Sequence, residues 1–191
     1  MRNVRDGIRA EIAAINPFDD QERDTQQDVL AWVDSGAELC RLQKPATPPK
    51  HLISYFVVVD DDHVLLVDHI NAGLWLPTGG HVDPGEHPRD TVVREMKEEL
   101  GVEAEFLLPS PVLLTSTTTV GKTSGHTDVS LWYALRCSRN AHFDYDDSEF
   151  TEVRWFGEND IPFERSDPEM RRFIQKLAKI KQNQKTNGED N

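Results

Sequence analysis

The chain has 191 residues, with 34 acidic against 21 basic side chains and a formal net charge of −13. That length suits one domain, or one with a short appendage, and the acidity argues against a polynucleotide ligand while leaving a small nucleotide open, because metal ions held by carboxylates can meet its phosphates. No run of about 18 apolar residues offers a membrane span, and Cys40 and Cys137 are too few and too far apart for a zinc site, which predicts reduced thiols in a cytoplasmic protein.

The opening stretch, MRNVRDGIRAEIAAINPF, carries an acid at Asp6 and no continuous apolar run, so it does not read as a secretory signal. Val4, Ile8, Ile12 and Ile15 instead mark one side of an amphipathic helix that Asn16-Pro17 stops. A second helix is predicted from Asp24-Thr25, with Val29, Leu30 and Val33 on its apolar side, a break at Ser35-Gly36 and a continuation to Leu42. Core packing is the default role of this N-terminal helical extension, residues 1–42, with a homodimer contact or a lid over the substrate as alternatives. Residues 43–50 hold three prolines in eight positions and read as an extended connector. The main domain is then expected over residues 51–180. Residues 52–59 and 64–70 are β-rich runs joined by Asp60-Asp61-Asp62-His63, a hairpin signal whose acids read as turn residues before they read as a metal site.

Residues 73–80, GLWLPTGG, bring two adjacent glycines, which let backbone approach a ligand closely. The stretch GHVDPGEHPRDTVVREMKEELGV begins at Gly80. Pro88 suits a first helical turn, Gly101 ends a helix running to about Leu100, and Val92, Val93, Met96 and Leu100 form its apolar stripe. Glu95, Glu98 and Glu99, at i, i+3 and i+4, gather on a neighbouring face, where like charges cost roughly 0.2–0.5 kcal/mol per pair unless a cation compensates them. Mg²⁺, with Mn²⁺ as the alternative, is the natural ion for such hard oxygen ligands. Alone, the triplet reads as a solvated acidic face. It is not alone: Gly80, five residues, Glu86, seven residues and then REMKEELGV at 94–102 fill every fixed position of the Nudix box. The chain therefore resembles the Nudix hydrolases of the MutT-like kind, metal-dependent enzymes that cleave nucleoside diphosphates linked to another moiety.

That resemblance implies an α/β fold, an α/β/α sandwich around a mixed β-sheet. It also implies that Glu95, Glu98 and Glu99 are metal ligands, one of them orienting or deprotonating the attacking water. Arg94 is expected to hold a catalytic glutamate by a charge-assisted fork, Glu86 to brace the start of the helix, and Gly79 to lend a main-chain carbonyl to a metal. Gly80 and Gly101 have structural places in the box. The usual approach to the box has proline directly before the two glycines, whereas here Thr78 separates Pro77 from them.

Past the box, residues 104–108, 111–120 and 128–136 read as strands. Residues 121–126, GKTSGH, form a hairpin loop on the plainer reading and, on the sharper one, a substrate loop in which Lys122 or His126 meets phosphate or base. From Asp128 a period of two sets Val129, Leu131, Tyr133 and Leu135 opposite Ser130, Trp132 and Ala134; Trp132 reads as core first and as a base-stacking platform second. The acidic run at 144–149 precedes a strand at 151–156, and the resemblance implies a late-loop carboxylate there, which makes Glu149 a further metal-ligand candidate. Phe173, Leu177 and Ile180 mark a last helix over 170–180, and residues 181–191, with no apolar anchor, read as a disordered tail.

The implied reaction is attack of water on a phosphorus of a pyrophosphate linkage. The subfamily marks for NADH, ADP-ribose, diadenosine polyphosphates and coenzyme A are missing, which leaves a small-molecule substrate, a nucleoside triphosphate or damaged nucleotide, split to a monophosphate and pyrophosphate. The alternatives are hydrolysis of nucleotide sugars or dinucleotides, a catalytically inactive Nudix-fold regulatory domain that binds nucleotide, and an isoprenoid diphosphate isomerase of the same fold. An inactive domain should show eroded carboxylates, and an isomerase wants cysteine and glutamate motifs that neither Cys40 nor Cys137 supplies.

Overall fold

A computed structural model describes residues 3–44, 46–119 and 125–189. Helix α1 (Val4–Ala14) is capped by the Asn3 side chain, and α2 (Asp20–Asp34) by Asp19, whose side chain accepts from the Glu22 N–H. The second helix thus starts earlier than expected, because Asp19 and Glu22 make a capping box in which the Glu22 carboxylate reaches back to the Phe18 N–H at 2.6 Å. Its continuation to Leu42 does not form. Gly36 turns left-handed at φ 78° after the Ser35 cap, and Arg5 takes the Val33 and Ala37 carbonyls at 2.8 and 2.5 Å.

The strands are β1 (Lys50–Asp60), β2 (His63–His69), β3 (Leu74–Leu76) and β4 (Thr78–His81), then, after helix α3 (Pro88–Leu100), β5 (Leu113–Thr118), β6 (Thr127–Arg136) and β7 (Phe150–Gly157); helix α4 is Met170–Glu189. Among the described residues they form one seven-stranded mixed sheet in the order β3-β2-β1-β6-β5, with β4 on β1 and β7 on β2. β1 and β6 are parallel from Lys50↔Thr127 to Val59↔Arg136, and the other pairs are antiparallel. Along its opposite edge β1 changes partner, meeting β4 over Ile53 to Phe56 and β2 over Val58 to Asp60. The cleft described below opens beside that change.

Period-two alternation in β1 and β6 buries both faces, so each needs a helical cover. Leu52, Phe56, Val129, Leu131 and Tyr133 pack on Val92, Met96 and Leu100 of α3 and on α1 and α2, while Val57, Val59, Trp132 and Ala134 pack on Met170, Phe173 and Leu177 of α4. The result is the expected α/β/α sandwich. Ile8, Ile12, Val29 and Val33 are all 2% exposed or less, each contributing roughly 1.5–3 kcal/mol by burial. The N-terminal helices therefore belong to the same core as the sheet. A buried ion pair fastens them to the far end of the chain, with Lys176 of α4 donating to both carboxylate oxygens of Glu22 at 2.8 Å. Glu22 also accepts the Leu114 N–H at 3.0 Å, satisfying the open edge of β5.

Three further expectations are corrected. Residues 104–108 meet β6 through one isolated bridge, Phe106 to Leu135, because β5 already occupies that edge as far as Trp132. Val93 is 43% exposed: it lies about 100° round the helix from Val92, on the outer side of the stripe that Val92, Met96 and Leu100 make. Helix α4 continues past Ile180 to Glu189: extending an anchored helix costs little, and Lys181 donates to the Asp61 carbonyl at 3.2 Å. Among the described residues no helix is long and apolar enough to cross a membrane.

Candidate active site

Helix α3 presents its acids to the sheet because both of its ends are fixed. The His87 side chain accepts from the Arg89 N–H, Pro88 fills the first turn, and Gly101 closes the helix at φ 71°. The two glycines of β4 allow close packing on either side. At Gly79 (φ 144°) a side chain would run into β1, its Cβ 2.9 Å from Tyr55 Cα. At Gly80 a Cβ would fall inside the Glu95 carboxyl group, with Oε2 3.1 Å away. Thr78, in the place usual for proline, is a buried strand residue whose hydroxyl is 3.5 Å from the Phe56 carbonyl.

Arg94 organises the carboxylates. Its Nε and Nη2 fork onto Glu86 at 3.0 Å each, and Nη1 donates to Glu95 at 2.7 Å and to Glu98 at 3.2 Å. The bidentate fork expected on a catalytic glutamate is therefore on Glu86, and Glu95 and Glu98 receive single bonds. Glu86 is the brace at the start of the helix, accepting also from Thr91 Oγ1 at 2.7 Å and the Asp83 N–H at 3.2 Å. Burial would raise its pKa, but these donors outweigh burial and hold it below the usual carboxylate value.

Glu99 differs. It is 8% exposed, and the Gly79 N–H donates to it at 3.0 Å. Burial, with the charges of Glu95, Glu149 and Glu98 added, pushes its carboxyl up to about 9. Burial likewise raises Glu95 against the pull of Arg94, with Glu98 and Glu149 adding to the rise. Glu149, from the loop before β7, thus joins the group. Glu99 and Glu149 share a cleft of about 200 Å³ with Tyr55, Gly79, His81 and Asp128. Burial, and then the charges of Arg41 and His51, push the His81 imidazole down to about 3, so its ring is neutral there.

A sequence profile of the NUDIX domain matches residues 50–177. The chain belongs to the Nudix hydrolase family. It is 33% identical over 107 residues to the uncharacterised Nudix hydrolase YvcI of Bacillus subtilis, covering 55% of this chain and 65% of that protein. It is 58% identical over 33 residues to the CTP pyrophosphohydrolase of Escherichia coli, 17% of this chain and 24% of that one. The chain thus spans just under two thirds of the first relative and about a quarter of the second. A UDP-X diphosphatase crystal structure shares the fold over 92% of each chain at 14% identity, with a TM-score of 0.54.

Nudix enzymes use a divalent metal ion. The residues here fit one: Glu99 and Glu149 offer hard oxygens in the cleft, Glu95 and Glu98 lie close enough to add their charge to Glu99, and the bidentate fork of Arg94 is spent on Glu86. Of the other Nudix site candidates, Lys122 lies outside the described residues. His126 is 7% exposed, its ring stacked on His51 with centroids 5.1 Å apart. Trp132 is not a stacking platform: it is 1% exposed under α4, and its Nε1 donates to Thr115 Oγ1 at 3.0 Å. The sequence reading missed His51, His81 and Asp128. Their only signal is alternation along three separate strands, which needs the strand pairing before it becomes a cluster.

Proposed function

We propose that this Nudix hydrolase is a Mg²⁺-dependent pyrophosphohydrolase, with Mn²⁺ able to replace Mg²⁺, acting on a nucleoside triphosphate or damaged nucleotide to give a monophosphate and pyrophosphate. One observation carries the reading: Glu99 of α3 and Glu149 of a late loop line one cleft, and burial, with the charges of Glu95, Glu149 and Glu98 added, pushes the Glu99 carboxyl up to about 9. Glu95, Glu98, Glu99 and Glu149, with the Gly79 carbonyl, are the groups that would hold the ion. A divalent ion there supplies neutralisation of phosphate oxygens and activation of water. Arg94 keeps Glu95 and Glu98 oriented, and Glu86 keeps Arg94 in place.

The intact carboxylates speak against an inactive binding domain. The isomerase alternative needs a reactive cysteine, but burial and the nearby Glu38 and Asp83 push the Cys40 thiol up to about 11, away from the thiolate. The test is release of nucleotide and pyrophosphate across triphosphates, oxidised nucleotides, nucleotide sugars and dinucleotides, with Mg²⁺ or Mn²⁺. Turnover of triphosphates with pyrophosphate as product is expected, lost in Glu98→Gln and Glu99→Gln. Unchanged turnover in both variants would remove the carboxylates from the chemistry, and turnover confined to nucleotide sugars or dinucleotides would replace the substrate class.

A further inference from the structure

Beside the glutamates, three strands bring together a second group of side chains that hydrolysis does not use. His51 on β1 pairs directly with Asp128 on β6, and His81 at the end of β4 pairs with Ile53, two positions along the same face of β1. One ligating atom from each of His51, His81 and Asp128 lies within 4.8 Å of the others. His126 flanks them with its Nε2 3.3 Å from Asp128 Oδ1, and the rings of His51 and His81 are 5.0 Å apart.

The hydrogen bonding of this group is incomplete. His51 is fully buried, and its Nδ1 stands 2.9 Å from the Pro48 carbonyl oxygen. That oxygen can only accept, so Nδ1 carries a proton, and in the neutral ring Nε2 presents a lone pair. The lone pair faces another acceptor, Asp128 Oδ1, at 3.2 Å. Among the described residues no hydrogen bond reaches His51 Nε2, His81 Nε2 or Asp128 Oδ1, although all three atoms are shut off from solvent. Buried polar atoms are nearly always partnered, and two acceptors facing each other, with the unpartnered His81 Nε2 beside them, call for a cation between them. A histidine anchored through one nitrogen to a backbone carbonyl, with the other turned inward, is the usual presentation of an imidazole ligand.

We propose that His51, His81 and Asp128, with His126 alongside, form a second metal site that takes Zn²⁺ or a similar imidazole-preferring transition ion. Two imidazoles and one carboxylate suit such an ion, whereas the all-oxygen glutamate cluster suits Mg²⁺. His51 Nε2 and Asp128 Oδ1, 3.2 Å apart, already stand near the separation of about 3.4 Å between ligands on a tetrahedral ion, and the His81 atom lies within 4.8 Å of both. His81 and Asp128 line the same cleft as Glu99 and Glu149, so an ion held there borders the space open to substrate. The assignment does not depend on which substrate, if any, the glutamates turn over.

The experiment uses the full chain carrying Glu98→Gln and Glu99→Gln, which removes the competing oxygen site. After chelation and dialysis it is titrated with Zn²⁺ by calorimetry and with Co²⁺ by visible absorption, both in excess Mg²⁺. Binding of one equivalent is expected, with the intense bands of low-coordinate Co²⁺. His81→Asn and Asp128→Asn should each weaken it by more than about 100-fold, beyond the loss of an outer-shell partner, with circular dichroism reporting the fold. X-ray absorption of the zinc-loaded unsubstituted chain should give a shell containing imidazole nitrogen. An all-oxygen shell, no saturable binding, or binding that survives both substitutions overturns the site and leaves a proton between His51 and Asp128 as the balancing charge. Turnover is not the readout, so failure here and failure of the hydrolase assignment are told apart.

Discussion

Gly80→Ala tests whether the glutamates work in the arrangement described here. The added methyl would occupy the position of the Glu95 carboxyl group, with Oε2 3.1 Å away. To reach ordinary contact, about 3.5 Å or more between heavy atoms, the carboxylate has to withdraw by more than about 1 Å and give up its 2.7 Å bond from Arg94. A misplacement of that size costs on the order of 100-fold in rate, or about 2.7 kcal/mol of transition-state stabilisation. Gly80 is not among the positive-φ glycines, so alanine fits its strand backbone and the thermal midpoint should move little. The assay is steady-state kcat with saturating Mg²⁺ on the best nucleotide of the panel, beside a melt. If Gly80→Ala acts through Glu95, then adding it to Glu95→Gln should cost almost nothing more. Wild-type kcat in Gly80→Ala, or full additivity in the double variant, would refute the reasoning.

Removing Lys176 leaves the Glu22 carboxylate buried with only backbone donors; Lys176→Met should cost about 3–5 kcal/mol in urea unfolding, and Glu22→Gln with Lys176→Met together should recover much of it. A loss below about 1 kcal/mol would show the pair to be wetter than its burial implies. Trp132→Phe should lower stability by about 1 kcal/mol through the lost bond to Thr115 and leave KM unchanged; a raised KM would return the ring to the substrate site. Glu99 is raised in the folded protein to about 9 from an ordinary 4.5. Its contribution to stability is thus full below the lower value and lost as pH rises through the higher one. In EDTA, wild type should lose thermal stability relative to Glu99→Gln between about pH 5 and pH 9, and parallel curves would contradict the raised carboxyl.

The catalytic helix is legible because everything that shapes it is local. Pro88, Gly101 and the spacing of Glu95, Glu98 and Glu99 fix its ends and its acidic face within one stretch, and period two in residues 128–136 foretells that β6 is buried on both sides. Other features depend on partners distant in sequence. His51, His81 and Asp128 look unrelated until β1 is seen to pair with β4 on one edge and β6 on the other. Trp132 stays ambiguous in the sequence because a buried strand and a ligand platform use the same aromatic, and only the covering Phe173 of α4 decides. The start of α2 was available in the Asp19 to Glu22 capping pattern, whereas the extension of α4 past Ile180 breaks the rule that helices end with their apolar stripe.

The clasp between Glu22 and Lys176 means that the recognisable domain and the unit that folds are different lengths. A protein trimmed to the matched residues 50–177 would keep every member of the Nudix box. It would also keep Lys176 without its counter-charge, take the α1 and α2 part of the helical cover from the cluster of Leu52, Leu131 and Tyr133, and bare the rim of β5 at Leu114. An uncovered strand rim beside exposed aliphatic side chains invites pairing between copies. Trimming at the family boundary should therefore yield self-associating material in place of a smaller working enzyme.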